Sequence, residues 1–277
     1  MDIWLDSTGA GEAAASPLDA AIAEGDRATM AMVRDALRHR RVMLAYQPVV
    51  MGADPTRIAF HEGLIRLMDD TGRIIPARDF MGTVETTEIG RLIDCASLEL
   101  GLAVLAREPG LRLAVNMSAR SIGFARWMDI LRRGLAAEPT VGERLILEIT
   151  ESSAMLVPEI VTTFMADLQR QGICFALDDF GAGYTAFRYF KEFLFDLVKI
   201  DGQFIRGVAR DPDNQVLVQA LLMIARQFDM FAVAESVEAA EDAEWLMAQG
   251  VDCLQGYLFG APTTMPAWDA GAERRRA

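Results

Sequence analysis

Ile173-Cys174-Phe175-Ala176-Leu177-Asp178-Asp179 is an apolar, strand-length run that stops on two adjacent carboxylates. The same event recurs along the chain. Met43-Leu44-Ala45-Tyr46 stops at Gln47, Leu113-Ala114-Val115 at Asn116 and Leu145-Ile146-Leu147 at Glu148. Further runs stop at Glu62, Lys199, Glu235 and Gln255. Eight strands that end on chemistry-bearing residues form the pattern of a β/α barrel, where such ends converge on one face. Every stop except Lys199 bears a carboxylate or an amide, the oxygen donors suited to a hard divalent cation. Metal-assisted phosphate chemistry is the expected outcome.

The stretches between the runs carry helical signals. Residues 158–171 begin with proline and end before Gly172, and residues 239–249 are stopped by Gly250. Helices are also expected over 28–40, 76–87, 88–106, 121–136 and 214–228. The first two strands, 42–48 and 57–66, are separated only by the turn signal around Gly52-Ala53-Asp54-Pro55. A parallel pair needs a crossover of about a dozen residues, so these two should form an antiparallel hairpin. The predicted fold is α/β, a TIM-type (β/α)8 barrel with an antiparallel first strand. It is expected as a single domain over 28–266, preceded by a mobile arm (1–27) and followed by a frayed tail (267–277).

A length of 277 residues and a hydrophobic fraction of 52% are enough for one barrel and its helices. The formal net charge of −13 argues against a nucleic-acid polymer as partner. It leaves room for one small anion, because a bound metal inverts the local field. Cys95, Cys174 and Cys253 have neither disulfide nor zinc spacing, and they read as reduced, buried thiols of a cytoplasmic protein. His39 and His61 are the only histidines, too few for a histidine-rich metal site. No apolar run is long enough for membrane insertion, and residues 1–24 lack the features of a secretory signal.

In such a barrel Glu62, Asn116, Glu148, Asp178, Asp179, Lys199 and Glu235 would meet at one rim. Carboxylates packed together cannot all ionise cheaply, and a divalent cation resolves that conflict. All-oxygen donors favour Mg²⁺ or Mn²⁺ over zinc. The adjacent acids Asp178 and Asp179 suit a two-ion site, and two ions suit in-line displacement at phosphorus. Lys199 reads equally well as a holder of water or phosphate and as a structural salt bridge. Glu235 reads as a base or second-metal ligand, with an exposed strand-end acid as the plainer alternative. The Asp179-Phe180-Gly181 sequence is a weak signal alone, since the other kinase elements are missing.

From about 41 to 262 the chain resembles the EAL-domain cyclic di-GMP phosphodiesterases. The motifs that carry the likeness are Tyr46-Gln47-Pro48, Glu62-Gly63-Leu64-Ile65-Arg66, Asn116-Met117-Ser118-Ala119-Arg120 and Glu148-Ile149-Thr150-Glu151-Ser152. They continue with Asp178 to Tyr184, Val198-Lys199-Ile200-Asp201, Ala234-Glu235-Ser236-Val237-Glu238 and Gln255-Gly256-Tyr257-Leu258-Phe259. The resemblance implies hydrolysis of cyclic di-GMP to linear pGpG, with Glu62, Glu235 and Lys199 as catalytic residues. Glu62, Asn116, Glu148 and Asp178 would hold the first metal, and Asp179 with Glu235 the second metal and the water. Arg66 would pair with a phosphate, while Gln47, Leu64, Lys199 and Gln255 would line the substrate groove. Glu151 would brace the 179–184 loop, and Glu238 and Gln255 would support the metal shell. A homodimer joined through 185–193 is also implied.

Three departures from the family pattern stand out. Gly63 replaces the central alanine of the name-giving motif, and its loss of a methyl should not remove Glu62. Ser236 follows Glu235 where glycine is usual, and a positive φ there would strain serine. Ala182 and Thr185-Ala186 replace the usual threonine and serines, which should weaken coupling between subunits. The alternative function is a catalytically inactive cyclic di-GMP receptor of the same fold. A plain interaction scaffold is a third reading, though it has no need of so many acids on one face.

Overall fold

The protein is described by a computed structural model covering residues 16–182 and 191–268. β1 (Val42–Met51) and β2 (Asp54–Met68) form the expected antiparallel hairpin, with Gln47 opposite Glu62. A short strand, β3 (Ile74–Pro76), hangs on the outer edge of β2. Then β4 (Leu113–Asn116), β5 (Leu145–Thr150), β6 (Cys174–Phe180), β7 (Leu197–Ile200), β8 (Phe231–Ala234) and β9 (Cys253–Gln255) follow, each parallel to its neighbour. β4 lies parallel to β2, and β1 closes the ring antiparallel against β9. The result is a closed mixed barrel of eight strands in which β1 is the irregular one.

The helices are α1 (Pro17–Arg38), α2 (Met81–Val84), α3 (Glu88–Arg107), α4 (Ala125–Ala137), α5 (Glu151–Ala154), α6 (Pro158–Gln169), α7 (Gly202–Ile205), α8 (Pro212–Gln227) and α9 (Ala240–Ala248). α1 begins well before the expected position 28. Ser16 and Asp19 form a reciprocal capping box and Pro17 occupies the first turn, a start signal strong enough to nucleate the helix there. The helix expected over 76–87 is instead a 3-10 turn (Ala77–Asp79) followed by the single turn α2. Phe80 breaks the run at φ −138° and buries its ring. The helix expected from 121 begins only at Ala125, after a 3-10 turn (Ala119–Ser121) capped by Ser118. Residues 1–15 of the expected arm, 269–277 of the expected tail and 185–190 of the expected subunit contact lie outside the described residues.

Strand periodicity sorts the core into two populations. Leu113, Val115, Leu145, Leu147, Phe175, Leu177, Val198 and Ile200 point outward and are buried beneath the helices. The intervening residues point into the barrel. Because both faces are covered, the parallel strands read as continuous apolar runs. Inside lies a separate apolar plug of Val49, Phe60, Ala114, Ile146, Ala176, Leu197, Val233 and Cys253, with one residue from each strand of the ring. Among the described residues no helix is long and apolar enough to cross a membrane.

Candidate active site

Side chains on one face of a strand recur every second residue. Two residues beyond the plug on each parallel strand therefore stand Glu62, Asn116, Glu148, Asp178, Lys199, Glu235 and Gln255. On β1, which runs the other way, the equivalent position is two residues before Val49, at Gln47. All eight polar stops thus belong to one inward layer, stacked directly on an apolar floor. Gln47 and Glu62 are not strand ends at all. They lie in the middle of the two longest strands of the ring and join the layer through pleat and register.

Lys199 is the centre of this layer. Its side chain is 1% exposed, and its Nζ lies 2.7 Å from Glu235 Oε1, 3.1 Å from Glu148 Oε2, 3.2 Å from Asp178 Oδ1 and 3.3 Å from Glu62 Oε2. Gln255 Nε2 donates to Glu62 Oε2 at 2.6 Å, and Asn116 Nδ2 donates to Glu62 Oε1 at 2.9 Å. Gln47 accepts from Gln255 at 3.3 Å and donates to the Gly260 carbonyl at 3.1 Å. Gly63 leaves this arrangement intact. A Cβ there would meet Leu44 Cδ1 at 3.2 Å, so the smaller residue removes a tight contact without moving Glu62.

One residue of the acid group arrives by a different route. Alternation would turn Asp179 outward, away from Asp178. Instead its backbone takes φ +56° and the pairing of β6 with β7 is irregular between Leu177 and Phe180. The oxygens of Asp178, Asp179 and Glu235 consequently lie within 4.8 Å of one another. The next peptide is held by Glu151, whose Oε2 accepts from the Gly181 N–H at 3.1 Å.

The electrostatics follow from four carboxylates around one ammonium, with Asp179 as a fifth beside Asp178 and Glu235. Burial lowers the proton affinity of Lys199, but Asp178, Glu148, Glu235 and Glu62 outweigh it and hold the lysine charged. Burial also pushes Glu62 upward. Lys199, Gln255 and Asn116 reverse that and keep its carboxyl below the ordinary value. Glu148 is pushed well above the usual range by burial and by Glu62 and Asp178. Burial, aided by Asp178, raises Glu235 to about 8 against the pull of Lys199. Burial together with Asp178 and Asp201 raises Asp179 to about 6. A single lysine is therefore too little positive charge for the site.

The donor set fits a divalent metal. It is made of oxygens, it carries surplus negative charge, and Glu148 Oε1 is buried with no hydrogen-bond partner. Gln255 Oε1 is orphaned in the same way. Above the layer opens a cleft of about 310 Å³, lined by Gln47, Glu62, Leu64, Lys199, Glu235 and Gln255 among others. Arg66, half-buried beside it, donates to its neighbour's carbonyl at 3.0 Å. Glu238 does not join the acid group: it stands at the exposed rim, 3.9 Å from Arg206. Arg206, Ser236 and Tyr257 also line the cleft, and sequence spacing pointed to no role for Arg206 or Tyr257.

The sequence profile of the EAL domain matches residues 30–262. The chain belongs to the EAL domain family. Among curated relatives it is 32% identical over 240 residues to the bifunctional diguanylate cyclase/cyclic di-GMP phosphodiesterase MucR of Pseudomonas aeruginosa, covering 85% of this chain and 35% of that protein. The identity is also 32% over 240 residues to the cyclic di-GMP phosphodiesterase PdeF of Escherichia coli, covering 85% of this chain and 32% of PdeF. The chain thus spans about a third of the length of these relatives. Among solved structures, the PaMucR phosphodiesterase in complex with c-di-GMP superposes with a TM-score of 0.75 at 30% identity, covering 88% of this EAL domain chain and 99% of that one. An EAL domain protein of Listeria monocytogenes gives a TM-score of 0.75 at 25% identity, with coverage of 90% and 98%.

Proposed function

We propose that this EAL domain is a metal-dependent phosphodiesterase that hydrolyses cyclic di-GMP to linear pGpG. The observation that carries the reading is the complete polar layer: four carboxylates around Lys199, Asp179 joined to two of them, and a buried Glu148 oxygen that has no partner. The titles of similar proteins support the substrate, since MucR and PdeF are named for cyclic di-GMP and PaMucR is a c-di-GMP complex.

Glu62, Asn116, Glu148 and Asp178 would hold one Mg²⁺ or Mn²⁺, and Asp179 with Glu235 a second. When bound, the ions would supply charge neutralisation at phosphorus and lower the proton affinity of water. The residues themselves do the rest. Lys199 presents an ammonium to the phosphate or the attacking water, and Glu235, ionised once a cation has displaced its proton, accepts the proton that water loses. The bond from phosphorus to one 3′ oxygen breaks, that oxygen takes up a proton, and the phosphate stays on the 5′ side as pGpG. The apolar plug beneath blocks water from the opposite end of the barrel.

Incubating the pure protein with cyclic di-GMP and Mg²⁺ or Mn²⁺ should release pGpG. Absence of product with both metals, alongside cyclic di-GMP binding that EDTA leaves untouched, would establish the receptor reading instead. That second reading draws on Ser236, whose φ of +54° places strain next to Glu235.

Metal affinity should depend on pH with a defined sign. Asp179 and Glu235 keep protons up to about 6 and about 8, and a cation must displace them. Apparent Mn²⁺ affinity should therefore rise from pH 6 to pH 8 and level off above. Isothermal titration in two buffers of different ionisation enthalpy should also report proton release. An affinity flat across that range would contradict the assignment of both residues to the metal site.

A further inference from the structure

Building on the phosphodiesterase reading, we propose that Arg206 is a second cationic contact for the cyclic dinucleotide, in addition to Arg66, and that Ser236 is its positioning residue. Three chain segments fit together at this point. Ser236 holds φ +54°, a conformation that glycine adopts freely and serine does not. Its hydroxyl accepts a hydrogen bond from Arg206 Nη2 at 2.9 Å. Gly202, the first residue of α7, makes room for that hydroxyl, since a Cβ at 202 would lie 2.4 Å from Ser236 Oγ and 3.2 Å from Arg206 Nη2. The strained serine thus has a specific partner, and the partner reaches it only because residue 202 lacks a side chain.

Arg206 is 59% exposed and lines the same cleft as Lys199, Glu235 and Gln255. A guanidinium carries five N–H donors. Ser236 takes one, and Glu238 stands beyond hydrogen-bond distance at 3.9 Å from Nε, so donors remain to face the cleft. Arg206 follows β7 and Arg66 lies on β2, which are four strands apart in either direction around the ring of eight. Arg66 stands near Glu62 and Tyr257 of the cleft, so the two arginines approach the mouth from well-separated strands of the ring. Cyclic di-GMP has matching chemistry, with two phosphodiesters and two guanines related by two-fold symmetry. An arginine fork suits a pair of adjacent acceptors, either two phosphate oxygens or guanine O6 and N7.

The test is steady-state kinetics with cyclic di-GMP and Mn²⁺ on Arg206→Ala, Arg206→Lys, Ser236→Gly and the double variant Arg206→Ala/Ser236→Gly. Arg206→Ala should raise KM about tenfold or more, acting on KM far more than on kcat, and lysine should recover only part because it lacks the fork. Ser236→Gly should raise KM about threefold, and should add nothing in the Arg206→Ala background, since coupled residues are not additive. Cyclic di-AMP as a competitor distinguishes the two acceptors. Weakening of both dinucleotides alike assigns Arg206 to phosphate, and loss confined to cyclic di-GMP assigns it to the guanine edge. Wild-type-like KM for Arg206→Ala overturns the contact. A Ser236→Gly variant that is more stable with unchanged KM overturns the positioning role. Wild-type protein that neither binds nor cleaves cyclic di-GMP overturns the functional reading itself, and this proposal with it.

Discussion

EDTA will stop cyclic di-GMP hydrolysis completely, and Mn²⁺ or Mg²⁺ added back in excess will restore it. The expectation follows from charge accounting in a space sealed from bulk water on one side. Glu62, Glu148, Asp178 and Glu235 surround one ammonium with Asp179 beside them, and without further cations Glu148 is pushed toward its protonated form, Glu235 keeps a proton below about pH 8 and Asp179 below about pH 6. A protonated carboxyl cannot accept a proton from water, so below about pH 8 the metal-free site has lost Glu235 as its base as well as its cations. The same argument sets the stability effect. A ligand bound only by the folded state at about 100 times its Kd contributes about 2.7 kcal/mol. For a chain of this size that corresponds to a rise in Tm of roughly 5 °C. Differential scanning calorimetry with and without Mn²⁺, beside an assay for pGpG, checks both. Turnover that survives EDTA, or a Tm that ignores the cation, would remove the metal from the mechanism.

Much of this site was legible because strand periodicity converts sequence into position. The runs ending at Asn116, Glu148, Asp178, Lys199, Glu235 and Gln255 each place an apolar residue two positions earlier, and that residue is part of the plug. The polar stops mark the level at which the barrel interior changes from oil to charge. The short linkage around Gly52 to Pro55 correctly forced an antiparallel hairpin. Its register was not readable. Only the pairing of Gln47 with Glu62 shows that a residue counted backwards along β1 reaches the same layer as residues counted forwards elsewhere.

What the sequence hid depends on backbone geometry that leaves no periodic trace. Asp179 is out of phase with Asp178, and it joins the acids only through a left-handed residue and an irregular strand pair. Arg206 reaches the cleft from the far side of a single helical turn, so spacing from Lys199 carries no signal. Ser236 was partly readable, because serine in a glycine position flags a possible positive φ, and the structure has it at +54°. Its hydrogen bond to Arg206 was not, since it needs the missing side chain at Gly202. Glu238, which the resemblance implied would support the metal shell, lines the cleft at its exposed rim, 3.9 Å from Arg206.

Lys199→Met separates the two roles that the sequence left open for that residue. The lysine is nearly fully buried among four carboxylates, so its loss leaves buried negative charge without a partner, an effect of about 3–5 kcal/mol. In the variant the acids should bind protons more tightly than they do in the unfolded chain. A carboxyl whose folded pKa exceeds its unfolded value destabilises the fold as pH rises. With Lys199 gone, Asp179 and Glu235 move above the values of about 6 and about 8 that they hold beside it, so the metal-free variant should lose Tm more steeply than wild type as pH rises from 6 through 8 and beyond. Saturating Mn²⁺ supplies positive charge to the same oxygens and should return most of that stability. Turnover should not return with it. If Lys199 holds the water or the phosphate, the loaded variant remains slower by about 10²–10⁴, the scale of a lost proton-transfer or positioning group. Recovery of both Tm and turnover to within about tenfold of wild type would mean that the lysine is an ion-pair partner alone, and the chemistry would then rest on Glu235 and the metal-binding acids.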